Sequence, residues 1–353
     1  MPVSPSSLSS SAIVTMLRAA GCVFAEDEAR LLISTASTPS DLAAMVERRV
    51  AGLPLEQVLG WAEFCGLRIA VEPGVFVPRR RTEFLLQQAV TLARRSALST
   101  GRALTPQVAG SAHEALVPQS VGLAAEALVP KSVGSAGEAL VPEPVRFAGE
   151  ALVPQSVRGE ALVSQGAGSG GRALAVSPDV VVVDLCCGSG ALGAALVAAL
   201  VAAELHAVDI DPAAVRCARR NLAGSGAHVY EGDLYEPLPA ALRGRVGILV
   251  ASPPYVPTEA IRLLPAEARE HEPRVALDGG ADGLDVVRRV TAAASEWLAP
   301  GGYLLVETSE RQAPQTVEAA ARTGLIPQVA GCEELNATVV IAVRPAALDA
   351  AAH

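Results

Sequence analysis

Four short segments of this 353-residue chain carry residue types that could do chemistry at a fixed spacing. The first, Asp184-Leu-Cys-Cys-Gly-Ser-Gly190, follows a run of valines. Gly188 and Gly190 let the backbone approach a ligand closely, and a helix starting beyond them offers free N–H groups to a carboxylate. Alone, such a loop serves equally well as a tight strand-to-helix turn. The second, Ala207-Val-Asp-Ile-Asp-Pro212, puts Asp209 about twenty residues past the glycines, where a carboxylate accepts hydrogen bonds from both hydroxyls of a ribose. Asp211, just before Pro212, reads as the cap of the next helix. The third, Glu231-Gly-Asp233-Leu, adds a carboxylate where the amino group of an adenine would lie. The three in this order point to a nucleoside ligand.

The fourth segment is Ser252-Pro-Pro-Tyr255. Pro253 and Pro254 fix φ and remove two N–H donors, so the chain turns rigidly and leaves carbonyl oxygens free to accept bonds from an NH₂ group. Tyr255 can stack on a flat π-system. The alternative is a proline-stiffened loop around a buried tyrosine.

Each segment follows an apolar run. Val180–Asp184, Glu204–Asp209, Ala227–Tyr230, Val246–Ala251, Gly302–Glu307 and Ala337–Val343 read as strands, and Ala191–Ala203, Pro212–Leu222 and Leu284–Trp297 as helices. This alternation predicts an α/β fold, a mostly parallel sheet with helices on both faces, whose ligands bind beyond the carboxyl ends of the strands. The domain is expected over residues 176–345, with a tail at 346–353. Upstream, apolar residues at helical spacing (Ile13, Leu17, Ala20; Ala29, Leu32, Ile33; Leu42, Met45, Val46) predict a helical domain over 1–60. Ser40 or Asp41 is the expected cap of its third helix. A hairpin-like connector is expected at 61–83, with β runs Phe64–Val71 and Val75–Val77 about a turn at Glu72-Pro-Gly74. Between the two domains Glu-Ala-Leu-Val-Pro recurs from Glu114, Glu126, Glu138 and Glu150 at a period of 12, then returns as Glu160-Ala-Leu-Val-Ser164. With a proline in almost every unit and no aromatic but Phe147, the stretch 101–175 reads as a low-complexity, mobile insertion.

Composition narrows the class. Lys+Arg 28 against Asp+Glu 37 gives a net charge of −9, with Lys131 the one lysine, so bulk attraction to nucleic acid is not expected. The six cysteines lack zinc-type spacing, and adjacent Cys186 and Cys187 cannot readily clamp one ion; no metal is expected, and the thiols are read as reduced and cytosolic. The N-terminus is Ser-rich rather than basic then apolar, and the longest apolar run, Ala191–Ala203, is too short to span a bilayer, so a soluble cytoplasmic protein with no membrane partner is expected.

These residues resemble class I (Rossmann-like) S-adenosylmethionine-dependent methyltransferases, and specifically the HemK/PrmC group of protein-(glutamine-N5) methyltransferases that act on peptide-chain release factors. Gly52-Leu-Pro-Leu-Glu-Gln-Val-Leu-Gly60 with Phe64-Cys-Gly-Leu67 is similar to that family's inter-domain segment, and Val77-Pro-Arg79 with Thr82-Glu83 to its Pro-Arg-Pro-Glu-Thr-Glu stretch. Glu272-Pro-Arg-Val-Ala-Leu-Asp-Gly-Gly-Ala-Asp-Gly-Leu284 and Pro300-Gly-Gly302 … Glu307 … Gln312 resemble it too. This chain departs from the pattern with Ser252 for Asn, Cys186 for Gly and Arg80-Arg81 for Pro-Glu.

The resemblance implies S-adenosylmethionine as cofactor, held by Asp184, Cys186, Gly188, Gly190, Asp209 and Asp233. It implies catalysis by Ser252, Pro253, Pro254 and Tyr255, with Glu272 joining Ser252 and Tyr255 on the substrate side. The expected partner is a protein, a class 1 release factor whose Gly-Gly-Gln glutamine is methylated, bound by the N-terminal bundle. An amide nitrogen attacks the sulfonium methyl in line while the Pro253 carbonyl and Ser252 hydroxyl accept its N–H groups, and none of the five histidines is assigned to catalysis. Two other readings stand at this stage. Ser-Pro-Pro-Tyr also suits methylation of cytosine N4 or adenine N6 on a flipped base, and Cys186 with Ser252 permits a non-catalytic cofactor-binding protein.

Overall fold

The structure, a computed structural model, describes residues 8–99, 180–200 and 202–346, so the repeat array expected to be mobile and most of the tail lie outside the described residues. Four helices come first: α1 (Ser10–Ala19), α2 (Ala25–Thr35), α3 (Pro39–Val50) and α4 (Leu55–Leu59). They bury Ile13, Leu17, Ala29, Leu32, Met45 and Val46 in a core of their own, as their spacing predicts, while Ala20 and Ile33 stay exposed. The cap of α3 is Thr38, which accepts from the Asp41 N–H at 3.1 Å, and not Ser40 or Asp41. Pro39 takes the first helical position, where its missing N–H does no harm, and so assigns the cap to the residue before it. Asp41 instead reaches back to the Ser37 N–H at 2.9 Å.

The hairpin joins β1 (Trp61–Phe64) to β2 (Leu67–Ala70) in antiparallel register, Phe64 opposite Leu67. Its turn is at Cys65-Gly66, with φ of +51° and +76°, and not at Glu72–Gly74. Two successive positive φ values match the right-handed twist of a two-residue hairpin. Residues Val75–Val77 form no strand; Val75 and Val77 are buried as loop anchors. A helix absent from the sequence reading follows, α5 (Thr82–Ser99), whose Leu85, Ala89 and Leu92 pack onto the main sheet.

Beyond it come β3 (Val180–Leu185), α6 (Ala191–Ala199), β4 (Ala203–Asp209), α7 (Pro212–Asn221), β5 (His228–Glu231), β6 (Val246–Ala251), α8 (Ala266–His271), α9 (Asp285–Trp297), β7 (Leu298–Thr308), α10 (Ala313–Ala321), β8 (Ile326–Cys332) and β9 (Ala337–Val343). The sheet order is β5-β4-β3-β6-β7-β9-β8, parallel from β5 to β7, with β9 antiparallel to both neighbours. The expected helix Ala191–Ala203 stops at Ala199, because Leu200 turns extended and β4 begins at Ala203. One sheet face packs on α5, α6 and α7, the other on α9 and α10. Strand order reverses between β3 and β6, which opens a crevice at their carboxyl ends. This is a Rossmann-like α/β sheet carrying an N-terminal helical bundle.

Candidate active site

A cavity of about 610 Å³ opens at that crevice, a size suited to a nucleoside-bearing ligand. It is lined by Asp184, Cys186, Gly188, Asp209 and Asp233 at one end and by Ser252–Tyr255 at the other, with Arg81, Thr82 and Glu272 on its rim. Gly190 lies beneath the lining, with φ +76°, and a Cβ there would sit 3.0 Å from Ala218 on α7, so only glycine lets the loop close onto that helix.

The cofactor end is dominated by carboxylates. Asp184 is next to last in β3, is 1% exposed, and its Oδ2 has no hydrogen-bond partner among the described residues. Burial and the neighbouring Asp209 push its carboxyl up to about 8. An orphaned, buried carboxylate oxygen awaits a donor, and a cationic ammonium group suits it. Asp209 closes β4 and accepts from the Gly188 N–H at 2.7 Å and the Asp211 N–H at 2.9 Å, which ties the glycine loop to the second strand. Asp211 caps α7 by accepting from Ala213, as its position predicts. Asp233 is held by Arg289 of α9 at 2.7 Å. Cys186 sits at φ +58°, a left-handed conformation that favours the glycine it replaces. Burial and the surrounding aspartates hold both the Cys186 and Cys187 thiols well above the usual range, so they are neutral.

The acceptor end is a network of hydroxyls around one carboxylate. Ser252, Pro253 and Pro254 follow β6 directly, and among the described residues no hydrogen bond reaches the Pro253 carbonyl. Glu307, near the end of β7 and 2% exposed, accepts from Thr82 Oγ1 at 2.7 Å, Ser252 Oγ at 3.3 Å and Tyr255 OH at 3.4 Å. Burial raises its carboxyl above the usual range, opposed by Thr82 and Arg81. Arg81 donates to the Tyr255 oxygen at 3.2 Å. Burial and Glu307 push the Tyr255 phenol up to about 12, so it stays protonated. The loop rests on the segment after it: Gln312 Nε2 donates to the Tyr255 carbonyl at 2.9 Å and the Asp282 carbonyl at 3.0 Å. Gly283 lies so close beneath that a Cβ would land on the Tyr255 carbonyl.

Glu272 lies on the cavity wall, but its carboxylate is engaged: Arg79 meets both oxygens at 2.6 Å and the Val77 N–H donates at 3.2 Å. Arg81 and Thr82 stand in no segment whose spacing points to chemistry, and Glu307 stands only in the Pro300-Gly-Gly302 … Glu307 … Gln312 pattern. The signal was available. Glu307 lies near the end of a strand at the same rim as Asp184, Asp209 and Ser252, and strand ends are where such sheets place their chemistry. Among the described residues no group of three or more His, Cys, Asp or Glu could hold a metal ion, and no helix is long and apolar enough to cross a membrane.

Residues 172–268 match the methyltransferase small domain model. The chain is 31% identical over 291 residues to a release factor glutamine methyltransferase of Geobacter sulfurreducens, covering 81% of this chain and 72% of the relative. It is 30% identical over 314 residues to one of Mycolicibacterium smegmatis, covering 88% and 82%. Over a shorter stretch of 147 residues, 39% of this chain and 47% of the relative, it is 42% identical to a ribosomal protein uL3 glutamine methyltransferase of Burkholderia pseudomallei.

Proposed function

The chain belongs to the release factor glutamine methyltransferase family, and from that premise we propose that it methylates the side-chain amide of the Gly-Gly-Gln glutamine of a class 1 peptide-chain release factor, held by Ser252–Tyr255. It is an S-adenosylmethionine-dependent enzyme, and the residues present fit that cofactor. The unpartnered Asp184 Oδ2 suits the amino-acid ammonium, and Asp209 and Asp233 suit the ribose hydroxyls and the adenine amino group. When bound, the cofactor supplies a methyl group activated by a sulfonium.

The chain's own task is to present a poor nucleophile. An amide nitrogen has a delocalised lone pair, so orientation carries much of the rate. The free Pro253 carbonyl and the Ser252 Oγ are the acceptors for the two N–H groups, and they favour the positive charge that develops on nitrogen. Tyr255, neutral and clamped through its carbonyl by Gln312, bounds the amide plane. No strong base is needed, because the nitrogen-bound proton becomes acidic once the methyl has moved. The observation that carries this reading is the juxtaposition in one cavity of the carboxylate-lined nucleoside end and a rigid loop with free acceptors.

The test incubates the protein with S-adenosylmethionine and a release factor from the same source, then reads the glutamine peptide by mass spectrometry. One added methyl on the Gly-Gly-Gln glutamine, lost with Tyr255→Ala, is the expected outcome. Modification of ribosomal protein uL3 but not of the release factor would move the partner and leave the chemistry.

A further inference from the structure

The direction of each hydrogen bond around Glu307 is fixed by chemistry. Arg81 has only donors, so its bond to the Tyr255 oxygen obliges the phenol to send its own proton elsewhere. That proton goes to Glu307 Oε1, 3.4 Å away. Thr82 and Ser252 send theirs to Oε2, at 2.7 and 3.3 Å. Three hydroxyl protons converge on one carboxylate, an arrangement that is strongest while Glu307 is ionised and offers lone pairs to all three.

The consequence falls on Ser252. A hydroxyl has one proton and two lone pairs, and a free one can rotate its proton toward an incoming amide and repel its N–H groups. A carboxamide oxygen, which the family usually places here, accepts whatever its surroundings; serine must be told which way to face. We propose that Glu307 is the positioning residue that holds the Ser252 hydroxyl proton, so that the Oγ lone pairs face the acceptor nitrogen. This rests on the reading of Ser252–Tyr255 as the acceptor loop. The bond from Thr82 fixes Glu307 from the connector side. The longer bonds from Ser252 and Tyr255 leave the slack that a site takes up when its substrate enters. Below the raised titration of Glu307 the carboxyl acquires a proton, its hold on the Ser252 hydroxyl weakens, and the rate falls.

The experiment is a double-mutant cycle on the full chain with release factor as substrate, read as kcat at saturating S-adenosylmethionine across pH. Glu307→Gln, nearly isosteric, lowers kcat roughly 10- to 100-fold, the usual effect of removing a partner that orients a contacting group. Cofactor binding by calorimetry is retained, which excludes misfolding. Glu307→Gln costs less in the Ser252→Ala background than in the wild type, the remainder being its hold on Tyr255. The acid limb of the wild-type kcat profile is missing from Glu307→Gln. Additive losses in the cycle, or an acid limb that survives Glu307→Gln, overturn the proposal. A wild type that methylates no glutamine of the release factor or of ribosomal protein uL3 overturns the acceptor reading, and the proposal with it.

Discussion

A carboxylic acid held at about 8 inside a cofactor cavity is a proton waiting to be displaced. An ammonium beside Asp184 favours the ionised form, so binding S-adenosylmethionine below that value releases a proton. The sign follows: affinity rises with pH, by at most about tenfold per unit, and levels off near pH 8. Calorimetry in buffers of different ionisation enthalpy reads the released proton directly, and Asp184→Asn flattens the profile while weakening binding. In the free protein the same group acts the other way. Asp184 keeps its proton when folded and loses it when unfolded, so its contribution to stability declines from about pH 4 to about pH 8 and then stays level. Cys186 is the second residue that the loop geometry singles out. A side chain at φ +58° costs roughly 1 kcal/mol against glycine, so Cys186→Gly relieves strain in the cofactor loop. A cofactor dissociation constant lowered severalfold is the expected readout, and an unchanged or raised one contradicts it.

At the scale of elements, the acceptor loop is rigid because a later segment is built around it. Gly283 has φ +78° and no room for a Cβ beneath the Tyr255 carbonyl. Gly283→Ala therefore lifts the loop. A misplacement of about 1 Å costs on the order of 100-fold in kcat, while cofactor affinity, set at the other end of the cavity, holds; a fall in both would mean the change had spread through the sheet. The elements themselves differ in how plainly the sequence shows them. Buried strands such as Val180–Leu185 and Val246–Ala251 are continuous apolar runs, and their carboxyl ends were legible because each bears a polar residue at a sharp turn. The edge strand Ile326–Cys332 was not: it has Pro327, no alternation and exposure on both faces, so nothing in it distinguishes strand from loop. The hairpin turn was misplaced because Pro73-Gly74 is the louder turn signal, whereas Cys65-Gly66 is selected by strand twist. The hydroxyl network around Glu307 joins residues 82, 252, 255 and 307, and only the closed sheet brings them within hydrogen-bonding distance.

At the scale of the whole molecule, the helical bundle is fastened to the roof of the cavity by a few charges. Arg49 of α3 is buried and donates to Glu28 of α2 at 2.6 Å and to Glu267 of α8 at 2.6 Å. Its other bonds go to the second Glu28 oxygen at 3.1 Å and to the Leu53 carbonyl at 3.0 Å. The two carboxylates are not equivalent. Glu28 is buried, whereas the Glu267 side chain is 47% exposed and screened by solvent. Arg49→Met strands the Glu28 carboxylate without a partner and is expected to destabilise the fold by about 3–5 kcal/mol. Glu267→Gln removes the exposed arm alone, and its effect on stability stays within about 1 kcal/mol. The same change loosens the tie between the bundle and α8, which borders the cavity, and leaves the bond from Gln57 Nε2 to the His271 carbonyl at 3.5 Å. If the bundle aligns the protein substrate with the cavity, Glu267→Gln raises KM for the release factor severalfold and leaves cofactor affinity and thermal midpoint nearly unchanged. A KM that does not move would reduce the link to a structural fastening, and the orientation of the partner would then depend on the connector contact between Arg79 and the buried Glu272.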